Sequence, residues 1–573
     1  MKEQSKKKQK RHNAVTFKSY NQDQLWLLPP SLGDLIPPNH IVRLVNEVID
    51  SINLEPILTT YKGGGSSSYH PRMMLKALVY GYLDKQYSSR RIETRLRENI
   101  CYMWLCGMQQ PDHGTLNSFR RGKLKGTVKE VFAQVLLLLV DRGYVRLEDY
   151  HVDGTKMESV ANRYTYVWAK NVARYKASVL AKVSTLLAQI EQANEEAELI
   201  AKQEASQATA TNEPSNSIQD SIALEQTITQ LNKDLAEQLG TNKTLKKQLK
   251  KLEEECLPKL QKYETQENKL AGRNSYSKTD EDATFMRTKE DHLKNGQLKP
   301  CYNLQFGTND QYVLNYTIHQ TSSDMAVFTD HMTDTLSMYE SIEVTKPKRA
   351  TADAGYGSEE NYEFLEAQQI EAYVKYPGYF KESKGNGKHQ KNPFHSTNLF
   401  YNEAQDFYVC PMGQKMLFQK TIASKTKSGY VQYQNIYQAA NCEGCPMRGL
   451  CFKAKGNRII RHNPRAAKYR KQARQRLETL RGIHLKKKRN IDVEPVFGHL
   501  KQCRHFRRFL LTGLEGVNIE TGLLVIAHNL KKYAVNKQAI RISMPIPFDH
   551  PPNCSPSGQI NPQLELYFEK LRA

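Results

Sequence analysis

Apolar residues between Asn21 and Gly143 recur every three or four positions, a spacing that predicts amphipathic helices. NHIVRLVNEVIDSI gathers Ile41, Leu44, Val45, Val48 and Ile49 on one face, and PRMMLKALVYGYLDK repeats the pattern. SSRRIETRLREN and PDHGTLNSFRR add a helix and a capped turn that carry several arginines. The period then changes to two. Val145, Leu147, Tyr150 and Val152 read as a strand, expected to end at Asp153-Gly154. A long helix follows over 172–204, then a polar break, ATATNEPSNS. Beyond it Leu224, Ile228, Leu231, Leu235, Gln238, Asn242, Leu245, Leu249, Leu252 and Cys256 alternate spacings of four and three. Two such arms predict an antiparallel coiled-coil hairpin with arms of about 50 Å, an intermolecular coiled coil being the alternative.

Strand patterns resume at Tyr302–Phe306 and Tyr312–His319, around an Asn-Asp turn, and read as a hairpin. A helix near Met325–Tyr339, a short strand ending at Asp353, a helix and the strand IEAYVKYP come next. Residues 378–464 read as an irregular β-rich insertion, and from Pro464 the chain is helical and basic.

The chain has 573 residues, 39% of them hydrophobic and 25% charged, which excludes wholesale disorder and calls for several domains. Lys and Arg number 83 against 60 Asp and Glu, a net +23 that suits a polyanion. Residues 453–508 alone hold nineteen basic and three acidic side chains. The longest largely apolar run, Val131–Val140, is too short to span a membrane, and the basic N-terminus is followed by no apolar leader. A reducing cytoplasm, close to the nucleoid of a bacterial or archaeal-type cell, is therefore expected, with the cysteines as thiols or metal ligands. Cys410, Cys442, Cys445 and Cys451, in YVCPMG and NCEGCPMRGLC, could close a structural zinc site or remain reduced thiols. His113, His151 and His319 read as structural histidines.

Three acids stand where they would be held rigidly. Asp153 and Asp353 end strands, and Glu494 lies in RNIDVEPVFGHLKQCRHFRRF, where Asp492 is expected to cap a helix with Pro495 in its first turn. Lys501 lies two turns beyond Glu494 on the same face. Converging carboxylates can hold two Mg²⁺ (or Mn²⁺) ions about 3.5–4 Å apart for phosphodiester chemistry.

HVDGTKMESVANRYTYVWAK, ATADAGYGSEENY and VEPVFGHLKQCRHFRRFLLTGLEGVNIETGLLVIAHNLKKY resemble DDE-class insertion-sequence transposases. YNQDQLWLLPPSLGDLIPPNHIVRLVNEVID is similar to the helical N-terminal domain of that family. The resemblance implies an α/β fold: an RNase-H-like mixed sheet flanked by helices, with Asp153, Asp353 and Glu494 as the metal ligands. In the family a Tyr and an Arg often precede the glutamate by seven and four residues; here Lys487 and Asn490 stand there, with Arg489 one place off.

The expected layout is a basic arm (1–16), a helical DNA-binding domain (17–143), a catalytic domain (144–171, 271–377 and 465–535), the coiled-coil insertion (172–270), the Cys-rich insertion (378–464) and a tail (536–573). Lys501, Arg489, Arg504, Arg507, Arg508, Arg90, Arg91, Arg120 and Arg121 are the expected DNA contacts. The resemblance implies binding of double-stranded DNA at terminal inverted repeats, strand-end cleavage, and joining of the 3′-hydroxyl to target DNA by a homodimer. A non-catalytic, domesticated DNA binder and a metal nuclease without strand transfer are the rival readings.

Overall fold

The computed structural model describes residues 31–61, 68–204, 220–237, 243–288, 296–383, 392–426 and 428–543. The basic arm, the polar break, Gln238, Asn242 and most of the tail lie outside these.

The first helices follow the apolar spacing. Helix α1 (Ile41–Ser51) buries Val42, Leu44, Val45, Val48 and Ile49, and the His40 side chain caps it by accepting from Val42 N. Helix α2 (Pro71–Leu83) opens on proline, whose missing N–H costs nothing in a first turn. Helices α3 (Ser89–Glu98) and α4 (Val128–Asp141) follow, with shorter helical segments at Glu55–Leu58, Ile100–Leu105 and His113–Ser118.

Strand β1 runs from Asp149 to Glu158. It does not stop at Asp153-Gly154 as the Asp-Gly pair suggested, because an antiparallel neighbour pairs with it from His151 through Glu158. Gly154 serves close packing instead: a Cβ there would lie 2.3 Å from the Gln305 amide nitrogen and 2.9 Å from Asp324 Oδ1.

Strand β2 (Tyr166–Trp168) leads into a helical insertion made of α5 (Ala169–Glu204), α6 (Ser221–Glu237), α7 (Lys243–Lys251), a π-helical turn (Leu252–Cys256) and α8 (Leu257–Leu270). This is a three-helix bundle, not a two-armed coiled coil. Ser221, at the start of α6, bonds Glu264 near the base, Lys176 pairs with Glu267 at 2.8 Å, and Gln248 meets Gln189 farther out. Helices α5 and α6 thus both run outward, and α7 and α8 return. Val179, Val183 and Ile190 from α5, Leu224 and Ile228 from α6, and Leu249, Leu252, Cys256 and Leu260 from the returning arm form one core. The seam supplied the right apolar residues, but it is split between two helices running in opposite directions; the sequence between them includes Gly240, Thr241 and Asn242, poor helix formers.

The chain re-enters through β3 (Ser275–Ser277), which pairs with β2, and continues through β4 (Thr284–Arg287), β5 (Leu298–Asn309), β6 (Tyr312–His319), helix α9 (Phe328–Ser341), β7 (Arg349–Ala352), helix α10 (Glu359–Ala367) and β8 (Glu371–Val374). The main sheet has the order β4-β5-β1-β7-β8, with β6 beside β5. Strands β1, β5 and β6 pair antiparallel, whereas β1, β7 and β8 pair parallel. The result is a mixed α/β sheet.

Strands β9 (Phe400–Asn402), β10 (Phe407–Val409), β11 (Lys415–Lys425), β12 (Val431–Ala439) and β13 (Ile459–His462) form a second, antiparallel sheet, more regular than the sequence suggested. Its β11–β12 tip docks on α10, where Ser428 donates to Glu360 at 2.6 Å and Tyr430 to Glu363. Helices α11 (Pro464–Glu478), α12 (Leu480–Gly498) and α13 (Gly513–Ser543) follow. Buried residues of α1, α2, α4, the main sheet and α13 form one continuous hydrophobic core.

Candidate active site

The site begins with the parallel pairing of β1 and β7. Asp149, Tyr150 and His151 lie opposite Arg349, Ala350 and Thr351. Two residues beyond the last paired level stand Asp153 and Asp353, so the two acids leave neighbouring strands side by side. Asp353 is exposed, and its Oδ1 accepts from Gly355 N at 2.9 Å. Asp153 is half-buried, and its Oδ1 accepts from Gly154 N at 2.8 Å.

Helix α12 crosses this part of the sheet. Arg489, 4% exposed, brings Nη2 to 2.9 Å from Asp153 Oδ2. The contact is Coulombic, since Nη2 has no aligned hydrogen-bond acceptor. Phe497 packs on Phe306 with ring centres 5.3 Å apart, and Lys501 Nζ donates to Lys156 O at 2.8 Å. Lys375, just after β8, is buried beside the same acids. Burial and then the Arg489 charge push its ammonium below the ordinary lysine range, against the pull of Asp353 and Asp153.

Glu494 is exposed on α12. Among the described residues no group of three or more His, Cys, Asp or Glu side chains is close enough to hold an ion. Asp153 and Asp353 thus leave adjacent strands, and the three acids do not close into one such group with Glu494. The donor chemistry still suits magnesium, which takes hard carboxylate oxygens.

Neither Asp492 nor Pro495 starts a helix: Thr479 caps α12 by accepting from Gly482 N, and both residues lie inside it. Asp492 is 2% exposed and accepts from Asp310 N at 2.8 Å and Gln311 N at 2.5 Å, at the tip of the β5–β6 hairpin. Pro495 has no N–H for the Ile491 carbonyl one turn back, and Gln311 Nε2 takes that carbonyl instead at 2.9 Å. Lys488 Nζ bonds Asn309 Oδ1 at 2.9 Å. The hairpin tip thus clamps the helix that carries Glu494. Burial raises the Asp492 carboxyl above the usual range, although both amides oppose it.

Beneath the acids, His151 is fully buried, with Nδ1 2.6 Å from Thr351 Oγ1. Burial, then the Lys488 charge, pushes it down to about 4, so it stays neutral, in keeping with a structural histidine. Asp324, Asn303, Gln305 and Tyr356 went unnoticed in the sequence. Asp324 Oδ1 accepts from Asn303 Nδ2 at 2.9 Å and Gln305 Nε2 at 3.0 Å, and Tyr356 OH donates to Gln305 Oε1 at 2.5 Å. Their signal was two amide side chains, Asn303 and Gln305, alternating with Tyr302, Leu304 and Phe306 in the buried middle of the strand.

The expected DNA contacts divide into two groups. Arg90, Arg91, Arg121, Arg507 and Arg508 are exposed, although Arg508 also bonds the carbonyls of Ser159, Val160 and Ala161. Arg120, Arg489 and Arg504 are buried and committed to internal partners: Arg120 to Tyr87 O at 3.0 Å, Arg504 to Tyr82 O at 2.9 Å, and Arg489 to Asp153. Beside the second sheet, none of the four expected cysteines is in a disulfide. Arg458 Nη1 reaches Cys451 Sγ at 2.7 Å, and Arg458 N reaches Cys442 Sγ at 3.4 Å. The four do not form a closed metal cluster.

Residues 409–534 match the transposase DDE domain family, and residues 30–122 match the family described as Transposase domain (DUF772). Both matches support a DDE insertion-sequence transposase. The first match includes Glu494, Lys501 and the four cysteines; Asp153 and Asp353 lie outside both matches. Neither a curated protein nor a solved structure matches the chain. Among the described residues no helix is long and apolar enough to cross a membrane.

Proposed function

We propose that this transposase binds the terminal inverted repeats of its own element, hydrolyses DNA at strand ends and joins each freed 3′-hydroxyl to target DNA. The observation that carries the reading is the in-register parallel pairing that sets Asp153 beside Asp353, under a helix rich in Lys and Arg. The strand order supports an RNase-H-like catalytic domain. Taken along the chain, β1, β5, β6, β7 and β8 stand in the order third, second, first, fourth, fifth, with the first three antiparallel and the others parallel to the first.

Asp153, Asp353 and Glu494 would hold two Mg²⁺ ions, which when bound supply Lewis-acid stabilisation of the phosphorane-like charge. Lys501 and the exposed arginines Arg90, Arg91, Arg121, Arg507 and Arg508 hold backbone phosphates, which position DNA without reading its sequence. Hydrolysis breaks a P–O3′ bond and leaves a 3′-hydroxyl and a 5′-phosphate. Attack of that hydroxyl on a target phosphodiester forms one P–O bond and breaks another. Two ends must be held together for this, which calls for a homodimer on DNA in the cytoplasm. Cys410, Cys442, Cys445 and Cys451 would close around one Zn²⁺ as a structural site.

The test uses purified protein, Mg²⁺ and a labelled inverted-repeat oligonucleotide, with nicked and joined products resolved separately. Asp353→Asn is expected to lower both by about a thousandfold or more, several kcal/mol of barrier, without loss of DNA affinity. Activity unchanged in Asp353→Asn and in Glu494→Ala rejects the assignment. Cut but never joined product identifies a nuclease, and DNA affinity without cleavage under any divalent metal identifies a plain binder.

A further inference from the structure

We infer that Arg489 is a positioning residue that sets the metal affinity of the acidic pair: its guanidinium holds the Asp153 oxygen that an ion would need and yields it when DNA phosphate is present. The inference rests on the reading of Asp153 and Asp353 as metal ligands.

Arg489 is 4% exposed, and its Nη2 stands 2.9 Å from Asp153 Oδ2. That nitrogen has no aligned hydrogen bond although it is buried, an incomplete arrangement for a charged group. The buried Arg120 and Arg504 each leave Nε without a partner as well, but their Nη groups donate to main-chain carbonyls rather than facing a carboxylate that a metal ion would use. Among the described residues, a 3.4 Å approach of Nε to Val152 O is what ties the Arg489 side chain to the main chain. Lys375 is buried near the same two acids, so the pair already has cations from the chain itself. A divalent ion entering here must displace the guanidinium or share Asp153 with it, and like charges in one small site repel strongly. A backbone phosphate arriving on the basic face offers Arg489 an anionic partner that suits its planar fork. The chain's own cation would then leave the carboxylate as DNA arrives, linking metal occupancy to substrate occupancy.

The test is Mn²⁺ titration of the full chain without DNA, read by electron paramagnetic resonance of the free ion. Arg489→Gln is expected to bind Mn²⁺ about tenfold more tightly than wild type, the change that loss of one neighbouring cation makes. Arg489→Lys, which keeps the charge on a shorter reach, should fall between them. An uncleavable phosphorothioate duplex should tighten Mn²⁺ binding to wild type and leave Arg489→Gln nearly unchanged. Equal or weaker Mn²⁺ binding by a folded Arg489→Gln, with Asp153→Asn still lowering it, overturns the role of Arg489 alone. If neither Asp153→Asn nor Asp353→Asn lowers Mn²⁺ binding in either background, the metal-ligand reading itself fails. Thermal melting of each variant confirms that it is folded.

Discussion

Arginine meets a buried or half-buried carboxylate in two places, and the two are built differently. At the seam between α2 and α13, Glu520 is wholly buried and accepts from Tyr82 OH at 2.9 Å, Leu510 N at 2.7 Å and Leu511 N at 2.9 Å. Arg120 stands 3.9 Å away and spends its donors on Tyr87 O and Asn117 Oδ1. Both charges there have hydrogen-bond partners besides each other. At the sheet, Asp153 faces Arg489 without an aligned bond, and a second acid stands on the next strand. What differs is the setting of the carboxylate. Glu520 is enclosed by three neutral donors of the protein, although Arg120 Nε beside it is unpartnered. Asp153 is half-buried with a second acid on the next strand, where a ligand can compete for its oxygen.

The sharpest way to break this contrast is Glu520→Ala. It strands Arg120 in the interior, and a loss of about 3–5 kcal/mol is expected from denaturant unfolding. Asp153→Asn should cost far less stability while abolishing cleavage; a similar loss of stability in both would erase the distinction.

Acid should weaken both regions. Burial pushes His528, on α13 beside His499, down to about 3, and His151 under the acids down to about 4. Both folded-state values lie below the ordinary 6.5, so the unfolded chain binds more protons as pH falls. The stability tied to these neutral rings is complete above about pH 6.5 and is lost progressively toward pH 4, at up to about 1.4 kcal/mol per unit for each ring. His528→Gln should flatten the seam's share of that slope in urea melts at pH 7, 6 and 5.

The smallest effects belong to surface cations. Arg121→Ala and Arg507→Ala should each weaken DNA binding a few-fold, uniformly across sequences, and reduce the salt slope by about one. A larger effect from Arg120→Ala accompanied by a lower melting temperature would mark that residue as structural.

Much of this was legible in one dimension. The helices from Ile41 onward, the β5–β6 hairpin and the adjacency of Asp153 to a strand core all follow from apolar periods of 3.6 and 2. What escaped depends on pairing partners that no local pattern names. The length of β1 past Gly154 is set by β5, more than 140 residues away. Asp492 looked like a cap because Asp and Pro three apart often start helices, yet the hairpin tip supplies its two amides and replaces the hydrogen bond that Pro495 cannot make. Charge count alone could not separate Arg121, which is exposed, from its neighbour Arg120, which lies in the interior.

The helical bundle has a topological consequence. Its entrance and exit meet at one point, where Tyr166, Val167 and Trp168 ladder with Ser277, Tyr276 and Ser275, and Ala169 N reaches Asn274 O at 3.0 Å. Its apolar cluster is separate from that of the sheet. In architectural terms the bundle is a cassette: about a hundred residues could be exchanged for a tight turn at Trp168 and Ser275 while the acids keep their places, so the module can change length and surface independently of the chemistry.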